Sequence, residues 1–481
     1  MKLINPLVIV RILSTILIIE SVSYLFCIPV AHIYDESPFP FLWSSVITII
    51  LSVILYTLSR NIAFEKVTNR EGFLAVASSW ITMSAFGTLP FLFSGTIPSF
   101  IDAFFEASSG FSTTGSSILS DVEILPHSIL FWRSLTHWIG GLGIIVLVII
   151  ILPSLRITGY QLLSLESSLK EKIHPRTKAV GFRLLFIYLG LTIAEIILLN
   201  LGEMDLFESI CHTFGTVATG GFSTKNASIG YYSSYSQYII TLFMFLAGVS
   251  YVIYYYMVKL NFRKVGKNEE LWFYLTTVII AGAIVTGILY VNSSGPPELA
   301  FREGFFQVIS LLTTTGYSTT DYSVWPGPAI LVIFLLFFTG ASTGSTTGNI
   351  KMARHLLVIK NIRSVFIKII HPNAISQIKL NDRPVSEKAN MSIITFIVLF
   401  IFIFFIGTII LVITGLDPIT AASATVASLG NIGPGLGSVG PALNYAHLHD
   451  FNKIFLSLLM IIGRLEIYTI FILFTRSFWK L

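Results

Sequence analysis

Apolar runs long enough to cross a bilayer alternate along this chain with shorter apolar stretches that stop at a glycine. Residues 139–155, 392–414 and 454–474 exemplify the long runs; a hydrocarbon core about 30 Å thick needs about 20 such residues per helix. They do not alternate polar and apolar positions as the strands of a membrane barrel would. The pattern predicts an all-α polytopic membrane protein: two N-terminal helices, then four repeats of helix, pore helix, filter loop and helix around a central pore. The expected divisions are a hairpin over 1–70, repeats over 71–158, 178–262, 268–360 (with a broken second helix) and 389–481, and a basic loop over 361–388. The first apolar stretch, residues 12–30, is longer than a typical signal-peptide core and is read as a retained helix.

The short stretches cover 102–112, 205–217, 302–313 and 417–429, a few helical turns each. Half-helices are tolerated at membrane depth only inside protein or against a wet cavity. Asp102, Asp205, Glu303 and Asp417 stand at or near their starts. An acid there either caps the helix or takes part in ion binding. The opposite, partly negative ends point at the glycine loops and favour a cation.

The four loops read Ser112-Thr113-Thr114-Gly115-Ser116, Thr219-Gly220-Gly221-Phe222-Ser223, Thr314-Thr315-Gly316-Tyr317-Ser318 and Asn431-Ile432-Gly433-Pro434-Gly435. With Gly115, Gly221, Gly316 and Gly433 taken as equivalent, the spacings by subtraction are 106, 95 and 117 residues. Periods of that length fit folding units around one axis better than a solenoid. Backbone carbonyls of Thr113, Thr114, Thr219, Gly220, Thr314, Thr315, Asn431 and Ile432 would line that axis. Such a ring replaces the water around a monovalent cation without fixed charge, so the ion can leave again. One loop of small residues would equally serve close helix packing; four in the same context point to an ion filter.

Only 11% of the 481 residues are charged and 54% are hydrophobic, against about 25% charged in a soluble domain. The net charge of +5 is informative by location. Basic residues gather at Arg60, Lys66 and Arg70, at Arg156, Lys170, Lys172, Arg176 and Lys178, at Arg263, Lys264 and Lys267, and from Lys351 to Lys388. Acids hold the intervening loops: Asp35 and Glu36, Asp121 and Glu123, Glu203 and Asp205, Glu298 and Asp321. The positive-inside rule puts the basic loops and both termini in the cytoplasm and the glycine loops nearer the outside. That distribution accounts for the charge without a nucleic-acid partner. Cys27 and Cys211 read as two buried thiols, with no disulfide or metal framework. The histidines lack metal spacing and no phosphate-binding fingerprint occurs, so the chain reads as no enzyme.

Two anomalies remain. The stretch Thr339-Gly340-Ala341-Ser342-Thr343-Gly344-Ser345-Thr346-Thr347-Gly348-Asn349 interrupts what should be a spanning helix, and glycine disfavours helix by about 1 kcal/mol relative to alanine. It is either a mobile gate below the filter or a fixed kink that lets helices pack closely, and Lys351 just beyond it would face the same vestibule. Arg464 places a charge in the last apolar run, at a cost of at least about 2.5–3.5 kcal/mol on insertion scales. It is either a barrier to a passing cation or half of an ion pair, with Glu466 or with a residue of the broken helix.

Segments 131–141, 218–225, 313–321 and 429–437, with Lys379-Leu380-Asn381-Asp382-Arg383-Pro384-Val385, resemble the bacterial TrkH/TrkG branch of the Trk/Ktr/HKT superfamily of cation transporters. The likeness covers nearly the whole chain, and the extra N-terminal helix pair fits this branch. It implies potassium uptake across a bacterial inner membrane by a homodimer working with a cytoplasmic nucleotide-binding ring of TrkA type. It also implies filter glycines at Gly115, Gly221, Gly316 and Gly433, an intramembrane loop containing Gly340, Gly344, Gly348 and Asn349, and a pore arginine at Arg464. Gly115, where a serine is associated with sodium permeation in plant members, is intact, which favours potassium. The loop departs from the family pattern by being richer in serine and threonine. A proton- or sodium-coupled symporter is the alternative mechanism, and a non-conducting scaffold a third class.

Overall fold

The computed structural model describes residues 4–60, 68–146, 177–292, 295–373 and 377–479. Lys66, Arg156, Lys170, Lys172 and Arg176, and the end of the first repeat, lie outside them. The helices that frame the site are α1 (Pro6–Leu25), α2 (Phe39–Ser59), α3 (Asn69–Phe86), α4 (Phe100–Phe111), α5 (His127–Val146), α6 (Thr177–Asn200), α7 (Leu206–Val217), α8 (Ser234–Ala247) and α9 (Tyr251–Val258). The second half adds α10 (Glu269–Asn292), α11 (Pro297–Leu312), α12 (Gly327–Leu336), α13 (Met352–Ile370), α14 (Glu387–Ile413), α15 (Pro418–Leu429), α16 (Asp450–Arg464) and α17 (Tyr468–Phe471).

Six of the described helical segments are long and apolar enough to span a membrane, and two bent pairs also qualify when each is taken as one span. This is a multi-pass membrane protein. The spans at the rim expose most of their surface: only 28% of the α2 window is buried, as expected of helices whose other face meets lipid. The short helices α4, α7, α11 and α15 are instead sheathed by protein, with buried residues all around α15.

The repeats pack in rotation. Helix α5 lies against its own pore helix α4 and the next one, α7; α8 lies against α7 and α11; α16 lies against α15 and, completing the circuit, α4. In the first, second and fourth quarters a second helix is wedged between two pore helices, which holds the short helices around one centre.

Several boundaries differ from the sequence expectation. Helix α11 opens at Pro297, because a proline suits the first turn where no N–H partner is needed. Glu303 therefore sits inside the helix, not at its start. Asp205 and Asp417 do cap their helices, accepting from Glu208 N at 2.7 Å and from Thr420 N at 3.0 Å. Asp102 lies in the first turn of α4, capped by Ser99, and pairs with Lys453 at 2.6 Å. The stretch expected as a basic loop over 361–388 continues α13 to Ile370, then forms a two-residue hairpin, Lys379–Leu380 against Arg383–Pro384, before α14.

The third repeat is not alone in having a broken second helix. In the second repeat α8 and α9 meet at 93°, and in the fourth α16 bends by 105° into residues 468–474. Arg464 is thus the last residue of α16, not the middle of a continuous span.

Candidate functional site

The four glycine loops share one backbone conformation. Thr113, Thr219, Thr314 and Asn431 have φ between 52° and 58°, and the glycine two residues later has φ of 83°, 82°, 80° and 105° in turn. The residue between them keeps an ordinary negative φ. Alternating handedness turns successive carbonyls to one side of the chain. A β-branched threonine at positive φ is strained, and three of the four quarters accept that strain at the same place. The N–H of each intervening residue is held by the pore helix: Thr114 on Ser109 O (2.9 Å), Gly220 on Gly215 O (2.7 Å), Thr315 on Ser310 O (2.8 Å) and Ile432 on Ala427 O (2.8 Å).

The loops close a ring. A Cβ at Gly115 would collide with the carbonyl oxygen of Gly220; one at Gly221 with that of Thr315; one at Gly316 with that of Ile432; and one at Gly433 would lie 2.7 Å from that of Thr114. Each glycine faces the next loop's carbonyl, and the fourth faces the first.

Different chemistry stitches each seam. Between loops one and two, fully buried Glu106 pairs with Arg133 at 2.8 Å and accepts from Ser117 Oγ (3.0 Å) and Ile118 N (3.0 Å). Arg133 reaches on to Ser223 O at 3.3 Å and lies over the Phe222 ring. Between two and three, the Tyr317 hydroxyl donates toward His212 O and Phe222 O (3.0 and 3.2 Å). Between three and four, Tyr322 donates to Gly435 O at 3.0 Å. Between four and one, Ser116 donates to Gly433 O at 2.8 Å and the Asn431 amide to Thr114 Oγ1 at 2.9 Å.

Residues 340–349 are buried almost throughout and contact the second, third and fourth repeats directly. Gly340 N bonds Ile350 O, and Gly340 pairs with Lys351 in a parallel bridge. Ser342 N donates to Gly248 O, and Tyr251 N to Gly344 O, so the loop satisfies backbone groups freed by the α8–α9 break. Thr346 Oγ1 donates to Val217 O at the end of the second pore helix, and Gly348 N to Thr314 Oγ1 of the third loop. A Cβ on Gly348 would press on Gly430 O and Asn431. Asn349, at φ 66°, donates to Phe337 O. Lys351 turns its ammonium back onto Thr347.

Arg464 bonds the loop directly: its guanidinium donates to Thr346 O at 2.7 Å and to Gly140 O in the first repeat at 3.0 Å. It does not pair with Glu466, which binds Arg354 just beyond the loop. Glu270, at the start of α10, accepts from Thr343 N (2.6 Å), Thr343 Oγ1 (2.9 Å) and Ala353 N (2.9 Å), clasping both flanks of the loop with one carboxylate oxygen. Glu20 stays in the N-terminal hairpin, accepting from Tyr24.

All twelve glycine-loop residues singled out from sequence thus come together, and the Gly340, Gly344, Gly348 and Asn349 segment, Lys351 and Arg464 lie around them. Sequence reasoning missed roles for Glu106, Arg133 and Glu270. A carboxylate inside the apolar stretch before Gly115 was a usable signal for the first. Glu270 offered none, because acids at helix starts are common.

The sequence profile of the TrkH family, described as cation transport protein, matches residues 39–481. The chain belongs to that family. TrkH-family relatives include the Trk system potassium uptake protein TrkH of Escherichia coli strain K12, 36% identical over 422 residues, 86% of this chain and 87% of that one. TrkG of the same strain is 33% identical, covering 86% of each chain. The fold also matches the crystal structure of the potassium transporter TrkH from Vibrio parahaemolyticus, with TM-score 0.91 and 32% identity, covering 99% of this chain and 100% of that one.

Proposed function

We propose that this protein takes up potassium across a bacterial inner membrane through a filter built by the four glycine loops. The observation that carries the reading is the closed circuit of glycine against carbonyl: 115 to 220, 221 to 315, 316 to 432 and 433 to 114. Carbonyls of Thr113, Thr114, Thr219, Gly220, Thr314, Thr315, Asn431 and Ile432, with the four glycines, would coordinate dehydrated potassium. The pore-helix C-termini add partial negative charge behind them. Gly340, Gly344, Gly348 and Asn349 form the gate, fastened by Arg464 and by the Lys351 and Glu270 contacts.

Potassium would move down its electrochemical gradient. A potential of about 100 mV is worth about 2.3 kcal/mol per charge, enough for roughly fifty-fold accumulation without a coupling ion. The relatives' names support potassium as the transported ion. A homodimer, with both termini in the cytoplasm and a TrkA-type nucleotide-binding ring as partner, completes the proposal.

Planar-bilayer recording of the purified protein tests it. Unitary potassium currents of millions of ions per second support a pore; rubidium uptake in vesicles without unitary currents would establish a carrier instead. No rubidium uptake in any condition would leave a scaffold.

A further inference from the structure

The basic face carries a cavity that the proposed ion pathway does not use. It encloses about 140 Å³ between the α8–α9 break, the linker before α10 and the hairpin at 379–384. Lys264 and Lys267 reach it from the linker and Arg383 from the hairpin. Asp382 stands at its rim, 3.6 Å from Lys267, and Lys264 lies over the ring of the lining residue Tyr256. Two carboxamides frame the opening. Asn268 accepts from Leu271 N and Asn381 from Glu269 N, each at 2.8 Å. With their oxygens engaged at the start of α10, their NH2 groups remain to donate.

The floor supplies the second observation. Ser250 lines the cavity, is 1% exposed, and its Oγ has no partner among the described residues. A buried hydroxyl normally finds one. Cations from two segments, amide donors and an unspent hydroxyl converge on a volume suited to a single tetrahedral oxyanion.

The surroundings indicate where that oxyanion comes from. Val258, Leu260 and Phe262, which lie in sequence between the lining residues Tyr256 and Lys264, are 77%, 76% and 61% exposed, and Tyr255, Tyr256 and Trp272 cluster nearby in sequence. Exposed apolar side chains next to aromatic and basic ones mark the boundary between acyl chains and headgroups. We propose that this cavity binds the phosphate group of an anionic ligand, and that an anionic lipid headgroup of the basic-side leaflet supplies it.

Thermal unfolding of the full-length protein in detergent tests this, with phosphatidylglycerol, phosphatidylcholine or inorganic phosphate added. Phosphatidylglycerol should raise the melting temperature by about 3–5 °C, and phosphatidylcholine by clearly less, as expected for a ligand that binds only the folded state. The triple variant K264Q/K267Q/R383Q should lose most of that difference, whereas Lys368→Gln, on exposed α13, should keep it. Should the triple variant fail to fold, Ser250→Val offers a milder probe. Native mass spectrometry should then show phosphatidylglycerol retention falling by about tenfold. A shift from inorganic phosphate alone keeps the phosphate site and moves its source to solution. Equal shifts in parent and variants, or no preference for phosphatidylglycerol over phosphatidylcholine, overturn the proposal. None of these readouts depends on transport, so their failure leaves the potassium reading standing.

Discussion

Glu106 and Arg133 form an ion pair with side-chain exposures of 0% and 2% behind the first two loops. Burying charge is tolerable only with full hydrogen bonding, and removing one partner of such a pair typically destabilises by about 3–5 kcal/mol. Here the pair also fixes position, since the carboxylate holds Ser117 and Ile118 while the guanidinium holds Ser223. Glu106→Gln should therefore lower the melting temperature and also reduce the preference for rubidium over sodium in vesicle uptake. A destabilised protein with unchanged preference would confine the pair to folding. The key glycines allow a finer ordering. A Cβ meets the neighbouring carbonyl least severely at Gly433, so Gly433→Ala should retain the most uptake of the four alanine variants. Gly115→Ser should weaken discrimination against sodium, read as the ratio of initial rubidium and sodium uptake rates.

At the level of elements, the segment 340–349 is a buried non-helical strap whose backbone groups find partners on the second and fourth repeats. Its flanks rest on Glu270. Glu270→Gln would weaken charge-assisted bonds to both flanks at once and should raise basal rubidium flux several-fold in vesicles. Deleting residues 344–346 should raise it further; a folded but inactive product would identify the strap as a fixed kink. The strap and the glycine loops were legible in sequence because glycine and hydroxyl residues in an apolar run contradict helix. The breaks after α8 and α16 were not. Gly248-Val249-Ser250 carries a single glycine, and the bend there rests on bonds to Ser342 and Gly344 from a distant segment. In the fourth repeat the turn places Glu466 and Ile467 at φ 60° and 37°, a conformation no local propensity favours. The start of α11 was misplaced because Glu303 looked like a dipole acid, while Pro297 set the first turn.

For the whole molecule, alternation of charge along the chain resolves into two faces. The Asp121–Asn226, Glu203–Ser233 and Glu298–Tyr238 contacts join the acidic loops, and Lys360 ties Glu269 to the hairpin residue Lys379. If potassium moves without a coupling ion, the reversal potential should follow the potassium gradient alone. Imposing a gradient of one pH unit across the vesicle should leave it in place; a shift with pH would establish proton coupling.

Because one polypeptide supplies all four quarters, a change in sequence lands once around the ring. An assembly of identical subunits would suffer every substitution in quadruplicate. Here an ionic seam, two tyrosine seams and a serine–asparagine seam can each drift while the other three hold the geometry. Ion preference in such a chain can shift by gradations, one quadrant at a time.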